Sequence, residues 1–248
     1  MSKSHPLDMA TLFISDLHLS AERPDITALF IQFLNNDARQ AEALYILGDL
    51  FEAWLGDDMV LPEYADAIAS MKALHDSGVQ LFIMHGNRDF LLGETFTAMS
   101  GATLLDDPSI IDLYGKPTLL LHGDTLCTDD VAYQQFRAMV RNPVWQQELL
   151  ARTPAERLAL AKQYREMSQT ETGNKAEDIM DVNQQAVEQV MRDKGIYHMI
   201  HGHTHRPAIH ELAINNQAAQ RIVLGDWYEQ GSVLRCDENG CELQGLQM

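Results

Sequence analysis

TLFISDLH, residues 11–18, joins a short apolar run to an aspartate and a histidine two positions apart. A brief run of this kind, without polar alternation, reads as a strand buried on both faces. The period of two in extended backbone then puts Asp16 and His18 on one side. Four further runs end the same way. ALYIL (43–47) leads into Gly48-Asp49, VQLFIM (79–84) into His85-Gly86-Asn87-Arg88-Asp89, PTLLL (117–121) into His122-Gly123-Asp124, and YHMI (197–200) into His201-Gly202-His203-Thr204-His205. In open α/β sheets ligands bind outside the carboxyl ends of the strands, so these loops are expected to gather at one rim.

Between the first strands lie the helix-like segments 26–40 and 62–78, the second opened by Pro62 and closed by Gly78, which gives an α/β pattern. AIHELAI (208–214), RIVLGDW (221–227), SVLRC (232–236) and CELQG (241–245) predict antiparallel strands completing a second sheet. Residues 129–194 break this rhythm with an almost wholly helical composition. The expected organisation is a core of 1–128 and 195–248, with 129–194 as a helical insertion capping the site. Between Arg137 and Lys175 the chain carries a net +3, against −21 for the remainder. A solvated helix face accounts for this, as does a lid that meets anionic headgroups or an anionic substrate. Tyr133, Phe136 and Val140 recur at helical spacing, for which core packing is the first explanation.

The 248 residues are 46% hydrophobic, enough for a sizeable core, and the net charge of −18 argues against a protein that works by attraction to nucleic acid. An anionic substrate would need bound cations to receive it. Cys127, Cys236 and Cys241 form an odd set without CxxC spacing, so neither a disulfide framework nor a zinc site is expected, and a reducing cytoplasm fits. No stretch approaches the roughly 18 apolar residues of a membrane span, nor does the N-terminal MSKSHPLDMATLF resemble a cleaved leader, so any membrane contact is expected to be peripheral.

Any one of these aspartates or histidines alone is adequately explained as a satisfied polar cap at a strand end. Jointly that explanation fails. Asp, Asn and His supply oxygen and nitrogen without thiolate, a set suited to Mn²⁺ and compatible with Fe, Zn or Mg. Asp16, His18, Asp49, Asn87, His122, His203 and His205 are too many for one tetrahedral ion, but suit two ions sharing a carboxylate.

DLH, GDL, GNRD, HGD and GHTH in this order resemble the calcineurin-like metallophosphoesterases. The resemblance implies a two-sheet αββα sandwich, with Asp16, His18 and His205 on one ion, Asn87, His122 and His203 on the other, and Asp49 bridging. It further implies hydrolysis by a hydroxide held between the ions. His5, His75, His198 and His210 fall outside this set and read as surface or packing residues. His85 and His201 are expected to hydrogen-bond ligands rather than bind metal.

One departure bears on substrate. The family commonly has His after the Asn, where it assists the leaving group, whereas this chain has Arg88, which cannot donate a proton at physiological pH. A diphosphate leaves as a phosphate monoester whose second pKa is about 6, so charge neutralisation by a guanidinium is enough. A purely structural pairing of Arg88 with a carboxylate is the other reading.

GDLFEAWLGDD, GNRDFLLG, HGDTLCTDD, IMDVNQ and GHTHRPA together resemble, over nearly the whole chain, the superfamily's pyrophosphatases of lipid A biosynthesis. That likeness implies a UDP-linked diacyl amino sugar as substrate, cleaved to UMP and the acylated sugar 1-phosphate at the cytoplasmic face of the inner membrane, with no nucleic acid or obligate protein partner. It assigns substrate contacts to Asn87, Arg88, Asp130, Ser168, Lys175 and His203, and to Thr172, where the family shows Asn. A phosphoesterase acting on nucleotides or phosphoproteins, or a non-catalytic metal-binding scaffold, are the alternatives within the same fold.

Overall fold

The computed structural model describes residues 10–172 and 181–247, the side chains of 166–172 being outside that description. The opening run becomes β1 (Thr11–Ile14), and parallel to it lie β2 (Ala43–Ile46), β3 (Gln80–Met84) and β4 (Thr103–Leu105). Right-twisted parallel strands need crossovers, supplied by α1 (Pro24–Asn35), α2 (Ala65–Asp76) and α3 (Glu94–Ser100). The second sheet contains β5 (Ser109–Leu113), β6 (Lys116–Leu121), β7 (His198–His201), β8 (Ala208–Ile214) and β9 (Gln217–Val223), ordered β5-β6-β7-β9-β8 with β6, β7 and β9 parallel.

The C-terminal strands do not all join that second sheet. β10 (Gly231–Asp237) and β11 (Gly240–Leu246) return to the first sheet, where β10 pairs antiparallel with β1. There Val233 packs with the helices and Leu234 between the sheets, so both faces of β10 are covered. The same hairpin corrects the expectation for cysteine. Cys236 and Cys241 face each other in register across β10 and β11 and are joined by a disulfide, because a tight turn at Glu238-Asn239 sets residues five apart directly opposite. Cys127 lies outside this disulfide and is buried. β4 and β5 were not foreseen, being short and separated by the polar turn Asp106-Asp107-Pro108.

Alternation along the strands builds three apolar layers. Leu12 and Ile14 join Leu44, Ile46, Leu81 and Ile83 beneath α1 and α2, whose buried face includes Ile26, Phe30 and Phe33 at helical spacing. Phe13 points the other way, into the seam between the sheets with Leu120, Ile200 and Ile222. There the Phe13, Tyr45 and Phe82 rings stack in sequence at 5.0 and 4.6 Å. Outside the second sheet, Leu119, Leu121 and Met199 pack against Val187 and Met191 of α7 (Gln184–Lys194). The result is an αββα sandwich. Phe30 is fully buried, and its truncation to Ala would cost about 3–5 kcal/mol.

Between β6 and α7 lie α4 (Val131–Val140), α5 (Pro143–Leu150) and α6 (Pro154–Thr172). Asp130 caps α4 through Tyr133 N, and Asn142 caps α5 ahead of Pro143 at its first turn. Arg157 of α6, only 2% exposed, donates to Leu55 O at 2.7 Å and pairs with Asp58, fastening these helices to the loop after β2. The Tyr133, Phe136 and Val140 stripe does pack inward, with Val140 buried and Phe136 edge-on to Tyr164 at 5.2 Å. Among the described residues no helix is long and apolar enough to cross a membrane.

Candidate metal centre

Each candidate ligand follows the carboxyl end of a parallel strand. Asp16 and His18 follow β1, Asp49 follows β2, Asn87 follows β3, His122 follows β6, and His203 and His205 follow β7, so both sheets contribute to one rim. Main-chain bonds lace the loops together, with His18 N donating to Asp49 O at 3.0 Å and Gly202 N to His122 O at 2.8 Å. Across the seam, His203 N donates to Asp16 Oδ2 at 2.8 Å. Two glycines are dictated by this closeness. A Cβ on Gly86 would stand 2.1 Å from Asp49 Oδ1, and one on Gly202 would stand 2.3 Å from Ser15 Oγ.

Five of the seven residues adopt left-handed backbone: Asp16, His18, Asp49, His203 and His205 have φ of 57°, 51°, 52°, 70° and 55°. This region is sparsely used outside glycine, and such residues cluster at functional sites.

The side chains form two groups, Asp16 with His18 and His205, and Asp49 with His122 and His203, each with donor atoms within 4.8 Å of one another. Asn87 Oδ1 lies 2.9 Å from His122 Nε2, adding it to the second group. Asp49 Oδ2 stands between the groups, 3.7 Å from His18 Nε2 and 3.8 Å from His122 Nε2.

Three of the four candidate histidines have their outer imidazole nitrogen held. His18 Nδ1 meets Glu52 Oε2 at 3.0 Å, His205 Nδ1 meets Asp226 Oδ2 at 3.2 Å, and His122 Nδ1 meets Leu47 O at 2.8 Å. That arrangement orients the opposite nitrogen inward, as the carboxylate–histidine pairs of metal sites do. His18 Nε2 and Asp16 Oδ1 are buried with no hydrogen-bond partner. Unsatisfied buried polar atoms are costly, and here they are of the types that ligate a divalent cation.

The electrostatics agree. Burial alone would lower the His122 pKa, yet the nearby carboxylates of Asp49, Asp124 and Asp16 raise it to about 9. Burial likewise opposes ionisation of Asp16, but the close approach and charge of His205, with the charges of His122 and His18, hold its pKa below the carboxylate range. Asp89, fully buried, is pushed up to about 6 by burial and by Asp49. Buried carboxylates in such numbers form a well for positive charge, and the residues present fit two cations.

Arg88 donates its backbone N–H to Asp49 Oδ1 at 2.8 Å. Its guanidinium approaches Glu52 Oε1 only to 4.0 Å, and its Nε has no partner, so among the described residues it is not committed to a structural ion pair. Arg165 of α6 reaches the same Glu52 oxygen at 3.3 Å. Tyr133 donates to Asp124 Oδ2 at 2.7 Å with its ring 5.8 Å from that of His203.

Of the expected substrate contacts, Asn87, Arg88 and His203 lie at the centre and Asp130 is the α4 cap. Ser168 and Thr172 fall in α6, where side chains are not described, and Lys175, like His5, lies outside the described residues. His85 and His201 behave differently from expectation. His85 Nε2 donates to Leu92 O at 2.7 Å, and His201 Nδ1 donates to Gly202 O at 2.9 Å, so both brace turns rather than ligand side chains. Glu52, Asp226 and Tyr228, whose ring stacks 5.5 Å from that of His18, are site residues the motifs did not single out. Asp226 follows a strand and a glycine just as Asp49 does, and that signal was readable.

A family model for calcineurin-like phosphoesterases matches residues 9–207, and the chain belongs to that family. It is a metal-dependent hydrolase. Its curated relatives include the UDP-2,3-diacylglucosamine hydrolase of Serratia proteamaculans (strain 568), 54% identical over 235 residues that cover 95% of this chain and 98% of that one. The protein of the same name from Stenotrophomonas maltophilia (strain K279a) is 54% identical over 246 residues, covering 96% and 99%. That from Pseudomonas aeruginosa (strain UCBPP-PA14) is 53% identical over 232 residues, covering 94% and 97%. Among solved structures, an archaeal phosphodiesterase aligns over 96% of this chain and 100% of its own at 12% identity, with a TM-score of 0.49.

Proposed function

We propose that the chain hydrolyses the pyrophosphate bond of UDP-2,3-diacylglucosamine to UMP and 2,3-diacylglucosamine 1-phosphate, a step of lipid A biosynthesis. The observation that carries this reading is the 53–54% identity, over almost the full length of both chains, to relatives bearing that substrate in their name. Asp16, His18 and His205 would hold one divalent ion and Asn87, His122 and His203 the other, with Asp49 shared, Mn²⁺ being the ion this donor set suits best. Such a pair supplies a water of lowered pKa and Lewis-acid stabilisation of the phosphoryl oxygens.

The chain's own residues do the rest. Glu52 and Asp226 fix the His18 and His205 rings, and Leu47 O fixes His122. Arg88, its guanidinium uncommitted, neutralises charge that develops on the leaving phosphate, with Asn87 and His203 beside it. Asp130, Ser168, Thr172 and Lys175 complete the substrate contacts. We place 129–194 as the cap over the acyl chains, a role favoured by Val131, Val144 and Leu158 at 61%, 62% and 51% exposure. The enzyme then works peripherally at the cytoplasmic face of the inner membrane, where its substrate resides.

The test is cleavage of UDP-2,3-diacylglucosamine with added Mn²⁺ and with chelator, in ¹⁸O-labelled water to locate the incoming oxygen. Metal-dependent UMP release that requires the acyl chains is expected, with none from Asp49→Ala. Arg88→His should depress pyrophosphate cleavage. Equal activity on plain nucleotides, or full turnover in chelator, would overturn the reading.

A further inference from the structure

A cavity of about 260 Å³, separate from both ligand groups, is lined by Asp181, Thr204, Arg206, His210 and Arg221 among others. None of the seven candidate ligands lines it. Arg221 is 7% exposed, and its Nε has no hydrogen-bond partner. Its one hydrogen bond among the described residues runs from Nη1 to His201 Nε2 at 3.3 Å. Asp181, the one carboxylate among the described lining residues, accepts from Arg206 Nη1 through its Oδ2 at 2.7 Å. Thr204 Oγ1 is also buried without a partner.

A guanidinium stays charged in a protein, and burying one without a counter-anion is costly. Among the described residues that line the cavity, Arg221 brings a guanidinium whose Nε–H is unsatisfied, in a chain of net charge −18. The unpaired donors are the Nε–H of a guanidinium and a hydroxyl, donor types that suit a tetrahedral oxyanion. We infer that this cavity is a binding site for a phosphate-type oxyanion, held by the Arg221 guanidinium and the Thr204 hydroxyl.

The site is wired to the metal-ligand turn. Since His201 Nε2 accepts from Arg221, its Nδ1 carries the proton and donates to Gly202 O, and the same carbonyl accepts Thr204 N at 2.9 Å. Thr204 itself separates His203 from His205. A bound anion therefore stiffens the turn that presents both histidines, by satisfying two donors that otherwise have no partner.

The experiment is thermal unfolding of the chelator-treated full chain carrying Arg88→Ala, so that neither metal nor that guanidinium competes for the probe. Inorganic phosphate or UMP is titrated against sodium chloride of matched ionic strength. A saturable rise in Tm with phosphate is expected. Thr204→Val should weaken it by about tenfold, the loss of one hydrogen bond to a charged group, and Arg221→Met should abolish it. If Arg221→Met does not fold, Thr204→Val carries the test alone. No saturable rise, or an unchanged affinity in Thr204→Val, overturns the inference. Saturation by UMP as well as phosphate supports the site with a nucleotide monophosphate as its source, and saturation by phosphate alone supports it with the free ion.

Discussion

Glu52 holds His18: its Oε2 lies 3.0 Å from His18 Nδ1, and its other oxygen faces Arg165 at 3.3 Å and Arg88 at 4.0 Å. One carboxylate thus links an imidazole of the candidate metal centre to a helix of the 129–194 segment.

Replacing that carboxylate tests its hold on the ring. Loss of an outer partner of a ligating histidine commonly costs about 10–100-fold in metal affinity. Glu52→Gln, assayed by metal titration of the apo protein, should fall in that range while the fold is kept. Undiminished affinity would show that His18 is positioned by packing alone.

Gly86 tests the closeness of the rim. Its added Cβ would meet Asp49 Oδ1 at 2.1 Å and Asp49 N at 2.2 Å, neither of which belongs to a flexible chain end. Gly86→Ala should therefore lower stability by about 3 kcal/mol or more, at the upper end of overpacking costs. Chemical denaturation monitored by tryptophan fluorescence measures it.

His201 gives a pH dependence with a definite sign. Burial, aided by the charge of Arg221, lowers its folded pKa to about 3, against about 6.5 in an unfolded chain. Between those values the unfolded chain binds the extra proton, so stability rises with pH across the window and falls as the solution is acidified below 6.5. One proton contributes at most about 1.4 kcal/mol per pH unit. His201→Gln should flatten the slope of unfolding free energy between roughly pH 6.5 and 4, and an unaltered slope would refute the assignment.

Cys127 is 2% exposed, and burial, with Asp124 nearby, pushes its thiol up to about 12. The thiolate is the nucleophile, so iodoacetamide at pH 8 should leave Cys127 unmodified in the native protein and alkylate it in denaturant. Peptide mapping distinguishes the two, and native labelling would contradict the burial.

The candidate ligands were legible as a group because they stand within a few residues of the ends of short apolar runs, with a glycine beside Asp49, Asn87, His122 and His203. Asp16, Asp49 and His122 share that placement, and the two sheets bring them to one rim. Glu52 carried no such marker: it lies three residues beyond Asp49 in irregular chain, and only the folded loop brings it to His18. The parallel strands were legible through burial on both faces. The placement of β10 was not, because an apolar pair such as Val233-Leu234 says that a strand is interior without saying to which sheet. Cys236 and Cys241 pair through a turn geometry that residue counts do not reveal.

The left-handed backbone at Asp16, His18, Asp49, His203 and His205 sets folding and ligation against each other. At those five places the conformation alone would be better served by glycine, which adopts it without steric cost. Laboratory selection for heat resistance without selection for activity should therefore drift toward glycine or asparagine at these positions, erasing the metal centre while hardening the scaffold. Their retention as Asp and His is a stability concession, and what it secures is the aim of five side chains at one small volume.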